Sequence, residues 1–96
     1  PRLVGFKPKD PTQSLTAGAH FIPVGAPMDG ANDQGYMTSV AYSPSLGSSI
    51  GLGFLANGAE RFGETVIAAD LIRDNIVEVE IVSPHFLDPQ GARLRG

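Results

Sequence analysis

Apolar residues along this chain fall into six short runs, and the spacing within each run decides what it forms. Leu3-Val4-Gly5-Phe6-Lys7 is a short strand stopped by Pro8. Pro8 and Pro11 push the residues before them out of the helical region, so Lys7 to Thr12 is an extended connection. Gln13 to Gly18 predicts one helical or 3₁₀ turn, with Leu15 as its single large apolar anchor. His20 to Val24 is the second strand, and Pro23, which cannot donate to a ladder, marks an edge or a bulge. Gly25 to Gln34 is a polar hairpin loop in which Asp29-Gly30 supplies the turn.

The chain is organised around Gly35 to Leu55. Gly35 to Tyr42 alternates Tyr36, Thr38, Val40 and Tyr42 against Met37, Ser39 and Ala41, the two-residue period of a strand. Ser43-Pro44-Ser45-Leu46-Gly47 turns the chain into Ile50 to Phe54, with Ile50, Leu52 and Phe54 on one face and Gly51 and Gly53 on the other. Glycine along one face predicts a bend or the close approach of another backbone. A connection, Asn57 to Gly63, has room for a single helical turn. The strand from Glu64 to Ile72 follows, with either Val66 and Ala68 or Ile67, Ala69 and Leu71 facing the core. Asp74-Asn75 turns the chain into Ile76 to Val82, where Val77, Val79 and Ile81 face inward and Glu78 and Glu80 face water. Six short antiparallel strands cover their edges best by closing, so the expected fold is all-β: a small six-stranded antiparallel Greek-key barrel spanning residues 1–96 as one domain.

Composition narrows the function classes. A net charge of −3 with scattered Lys and Arg gives no electrostatic footprint for nucleic acid. There is no cysteine, hence no disulfide framework, thiolate nucleophile or thiolate metal site. No apolar run approaches the ~20 residues of a membrane helix, and the expected location is the cytoplasm. The chain opens on Pro1 and enters an apolar run at once, which predicts a fragment of a longer protein.

Candidate chemistry is sparse. His20 and His85 lie far apart, with no cysteine to complete a zinc site. Asp29 and Asp33 miss the calcium-loop spacing, because Ala31 stands where an oxygen ligand is needed and Val40 where the closing Glu belongs. Ser43, Ser45, Ser48 and Ser49 lack a G-x-S-x-G elbow, and their turn position accounts for them. Gly51-Leu52-Gly53 is half a dinucleotide fingerprint with no third glycine at Ala56 and no helix after it. Glu78 and Glu80 are a solvated face beside an apolar one. The aromatic residues Tyr36, Tyr42, Phe54 and Phe86, with His85, are suited to stacking on a flat ligand at a barrel rim, but core packing is the commoner use of such side chains and the first expectation for each. No catalytic or metal-ligating residue emerges.

The motifs taken together resemble the C-terminal barrel domain of the aminomethyltransferase (glycine-cleavage T-protein) family. The resemblance is carried by Gly35-Tyr36-Met37-Thr38-Ser39, Ser43-Pro44-Ser45-Leu46, Ile50-Gly51-Leu52-Gly53, Gly63-Glu64-Thr65-Val66 and the closing Pro84-His85-Phe86-Leu87-Asp88-Pro89-Gln90-Gly91-Ala92-Arg93. Leu3-Val4-Gly5-Phe6, Asp10-Pro11 and Leu15 to Ala19 fit the opening of that domain. The closing motif is similar to that of the branch containing the heterotetrameric sarcosine oxidase α subunits. Gly51, Gly53 and Leu87 depart from the family's usual Ala, Ala and aromatic residue. The resemblance implies a non-catalytic barrel that caps an upstream folate-binding domain of the same chain, with tetrahydrofolate as the shared cofactor. It implies flavin and NAD elsewhere in the parent complex, and other sarcosine oxidase subunits as further partners. Tyr36, Tyr42, His85 and Phe86 are then the candidate folate-cavity wall. A T-protein-type transferase barrel and a non-enzymatic protein-binding module stay open beside this reading, and a small self-contained hydrolase using Ser43 is a remote third.

Overall fold

The computed structural model describes residues 2–84. Six strands account for most of them: β1 (Arg2–Pro8), β2 (His20–Pro23), β3 (Gly35–Ser43), β4 (Ser48–Leu55), β5 (Thr65–Asp70) and β6 (Asn75–Val82). They close into an antiparallel barrel in the order β1-β4-β3-β2-β5-β6, with β6 returning to β1. β2, β3 and β4 are neighbours in succession while β1 lies beside β4, which is the Greek-key order. The expected fold is the observed one. Pro23 ends β2 opposite Val66 of β5, and β2 lies between β3 and β5 instead of at the edge that a proline there suggested. β2 pairs with β3 through His20↔Tyr36 alone, but with β5 through four residue pairs.

Side chains from every strand fill the interior. Val4 and Phe6 meet Phe21, Met37, Leu55, Val66, Val77, Val79 and Ile81, all at most 1% exposed. Phe6 and Phe21 stack with centroids 4.1 Å apart and planes at 20°. Large side chains of this kind contribute roughly 1.5–3 kcal/mol each on burial, and a barrel of so few strands has room inside for nothing else. Leu15 closes one end: it is buried in the same core, and its amide donates to Ser49 Oγ at 3.3 Å. The segment around it is not the helical turn expected. Two separate turns bracket it, closed by Gln13 N to Asp10 O (3.0 Å) and Ala19 N to Thr16 O (3.3 Å). Asp10 also accepts from the Thr12 amide and hydroxyl, so a local side-chain acceptor replaces the helical ladder.

Two strands depart from a simple apolar-in, polar-out facing. In β4 the glycine face points inward. A Cβ on Gly53 would lie 2.5 Å from the Tyr36 carbonyl oxygen and 3.1 Å from Phe21 Cε2, and one on Gly51 would strike the Met37 sulfur. Glycine there makes room for large side chains from β2 and β3, and Leu52 and Phe54 are left half-buried on the outside. In β3 the pairing slips between Met37↔Gly53 and Ser39↔Leu52. This bulge inserts Thr38, whose hydroxyl donates to the Leu52 carbonyl at 3.1 Å. Phase therefore changes at Thr38: Met37 and then Val40 pack on the core, three residues apart.

β5 is buried on both sides, so both facings expected of it are present except at Leu71, which is 61% exposed beyond the end of the strand. Val66 and Ala68 join the core, while Ile67 and Ala69 pack outside with Ile22 and Ala26. The cover comes from the long loop after β2. Its Asp29 carboxylate caps a 3₁₀ turn, Gly30–Asn32, by accepting from the Ala31 amide and Asn32 Nδ2, both at 3.0 Å. Leu71 and Ile72 leave the strand for the β5–β6 turn. A second 3₁₀ turn, Gly58–Glu60, occupies the connection where a single helical turn was expected.

Candidate functional site

Alternation places one residue of each strand on the outer surface beside its neighbours. The pairs Leu3↔Phe54, Phe54↔Tyr36 and Tyr36↔His20 form a continuous row across β1, β4, β3 and β2. The Tyr36 and Phe54 rings lie 5.9 Å apart at 54°, and the His20 and Tyr36 rings 6.5 Å apart at 51°. These tilted geometries suit aromatic quadrupoles. His20 is fixed by Asp33: Nδ1 lies 2.6 Å from Oδ2, while Asp33 Oδ1 accepts from the Gly35 amide at 3.0 Å. One carboxylate thus orients the imidazole and anchors the start of β3. Tyr36 remains 47% exposed and presents a flat face to solvent.

The bulge separates the two tyrosines that the sequence groups together. Tyr42 pairs with Ser49 and carries the inward phase of Val40, but it lies at the end of β3 and is 67% exposed. It belongs to the mouth of the barrel and Tyr36 to its flank. His85 and Phe86 lie outside the described residues.

Beside the row, a cavity of about 300 Å³ opens between the capped loop and the β5–β6 turn. Ile22 and Ala69 line its floor, Met28, Leu71 and Ile72 its walls, and His20, Asp29 and Asp33 its polar side. Asp70 lies beneath it at 6% exposure. Its Oδ2 accepts from Arg73 Nη1 at 2.9 Å and its Oδ1 from the Arg73 amide at 3.1 Å. These bonds favour the carboxylate and hold its pKa below the ordinary Asp value. A second cavity of about 310 Å³ at the other flank is lined by Lys7, Lys9, Leu46 and Glu80, with Lys7 Nζ 3.9 Å from Glu80 Oε1.

Three of the four clustered serines are engaged with backbone groups. Ser43 Oγ accepts from the Leu46 amide, Ser49 Oγ from that of Leu15, and Ser48 Oγ donates to the Ser49 carbonyl. Among the described residues, no group of three His, Cys, Asp or Glu side chains is arranged to hold a metal ion. Sequence reasoning missed His20 as a partner of Tyr36. Its outward facing follows from the inward Phe21, but its neighbour is known only once β2 and β3 are paired in register.

The fold and the site together define a filled β-barrel domain whose exposed chemistry lies on its outside. Residues 2–88 match the glycine cleavage T-protein C-terminal barrel domain, and the chain belongs to that family. It is 43% identical over 94 residues to sarcosine oxidase subunit alpha of Rhizobium meliloti (strain 1021). It is 32% identical over 96 residues to the protein of that name from Corynebacterium sp. (strain P-1). In both comparisons 98% of this chain is covered, and the chain spans 10% of the relative's length.

Proposed function

We propose that this chain is the C-terminal barrel of a sarcosine oxidase α-subunit-like protein, capping a tetrahydrofolate-binding domain in the oxidative demethylation of sarcosine. The observation that carries this reading is the match along almost the whole barrel to relatives named sarcosine oxidase subunit alpha. The filled interior supports a capping role, because it leaves the barrel only its outer surface for a ligand. Tetrahydrofolate would supply the acceptor for the one-carbon unit. On this chain, Tyr36 offers it a flat exposed ring beside the His20–Asp33 pair, which fits one wall of a cavity and not an enclosing cleft. Tyr42, at the barrel mouth, would reach the same ligand only across the bulge. Flavin and NAD belong elsewhere in the complex on this reading, other subunits are its further partners, and the cytoplasm is its location. Among the described residues no helix is long and apolar enough to cross a membrane. A T-protein-type transferase is the second reading, favoured by the family match itself; bound flavin in the purified complex decides against it.

The test is Tyr36→Ala in the full-length protein. Loss of one aromatic contact is worth about 0.5–1.5 kcal/mol, or roughly a two- to twelvefold rise in the Kd for tetrahydrofolate. Sarcosine oxidation measured without folate should be unchanged. An unaltered Kd removes Tyr36 from the wall.

A further inference from the structure

We infer that the β5–β6 turn, with the cavity behind it, is the face on which the barrel seats against the remainder of its own polypeptide; this rests on the proposal above that the barrel belongs to a longer α-subunit-like chain. The first ground is composition. Tight turns take Gly, Asn, Asp and Ser, yet this one carries Leu71 at 61% and Ile72 at 94% exposure. One exposed apolar side chain needs no explanation, but here Met28 stands opposite at 40% exposure and Ile22 and Ala69 floor the space between.

The second ground is rigidity. Asp70 grips Arg73 through both the backbone amide and the guanidinium, and Asn75 Nδ2 donates to the Ser14 carbonyl at 2.9 Å. The turn is therefore held in one shape before anything meets it, which lowers the ordering cost of docking. A third ground is charge. No Lys or Arg lines the cavity, and of its acidic residues Asp33 is paired with His20 and Asp70 with Arg73, which leaves Asp29 beside an apolar space, so the complementary surface is an apolar projection with at most one cationic group beside it. Continuity is the fourth. His20 belongs both to the cavity wall and to the aromatic row, so seating this face brings Tyr36 to the edge of the same junction. The occupant follows from length: about nine-tenths of each relative lies outside the part this chain matches, far more surface than a barrel needs to be covered.

The experiment uses the natural full-length polypeptide, whose intact mass is measured first. A mass near the 10.1 kDa of this chain overturns the longer-chain reading and the docking face with it. In a longer chain, photoreactive benzoylphenylalanine replaces Ile72, and in a control Glu60, which precedes β5 at the end opposite the turn. Irradiation followed by peptide mass spectrometry should give crosslinks from position 72 to residues of the same chain outside the barrel, at least tenfold above position 60. Crosslinks to another subunit or to a second copy, or equal yields at the two positions, overturn the docking face and leave the longer-chain reading standing. Ile72 is so exposed that its replacement does not disturb the barrel core.

Discussion

Gly53→Ala isolates the packing argument in a single methyl group. The added Cβ points into the barrel, 2.5 Å from the Tyr36 carbonyl oxygen, 3.0 Å from Met37 Cα and 3.1 Å from Phe21 Cε2. Two of those atoms are backbone at the β3 bulge, and the third belongs to a ring stacked on Phe6, so no flexible side-chain end can move aside. Overpacking a core costs about 1–3 kcal/mol, and a site closed by backbone belongs at the upper end. At about 3 kcal/mol, a domain of this size loses roughly 12–24 °C in Tm. Gly30→Ala is the control, because a Cβ there meets nothing within 4 Å. Its Tm should move by no more than about 1 kcal/mol implies, roughly 4–8 °C. Thermal unfolding followed by circular dichroism reads both variants. A Gly53→Ala protein melting within about 4 °C of the parent would refute the claim that glycine is required there by close approach.

Phe21→Ala removes half of the interior stack and should cost about 3–5 kcal/mol, seen as a lower urea midpoint or as a chain already unfolded in buffer. The Asp70–Arg73 pair predicts a pH dependence. Because Asp70 has a depressed folded pKa, its contribution is complete above the unfolded value of about 3.9 and is lost as pH falls through the lower folded one. Tm measured from pH 6 to pH 2 should therefore fall less steeply at the acid end in Asp70→Asn than in the parent. Parallel curves would show that the pair does not contribute.

Much of the architecture was legible from residue spacing. Val77, Val79 and Ile81 against Glu78 and Glu80 gave the facing of β6 directly, because one side is core and the other solvent. β5 was ambiguous for a physical reason: the loop carrying Ala26 covers its outer face, so Ile67 and Ala69 are buried as well as Val66 and Ala68. β3 and β4 show where a sequence pattern misleads. Thr38 looks like one more alternating residue, yet it is the inserted residue of a bulge, and it puts Tyr36 and Tyr42 in different phases. Gly51 and Gly53 look like the weak face of β4 but form its inner face, since Met37 and Phe21 occupy the space a side chain would take. The cavity wall at Leu71 and Ile72 was hidden because both residues extend the apolar run of β5; Asp70, capping the turn through Arg73, ends the strand before them.

On the function proposed above, the barrel caps a folate-binding domain without holding a site of its own. Titration calorimetry with tetrahydrofolate tests it most directly, run on the 96-residue chain and on the full-length protein with and without this barrel. The expected result is no more than weak binding by the barrel alone, binding by the full-length protein, and a clear loss of affinity when the barrel is removed. Tight binding by the isolated barrel, or an affinity in the full-length protein that survives its removal, would contradict it.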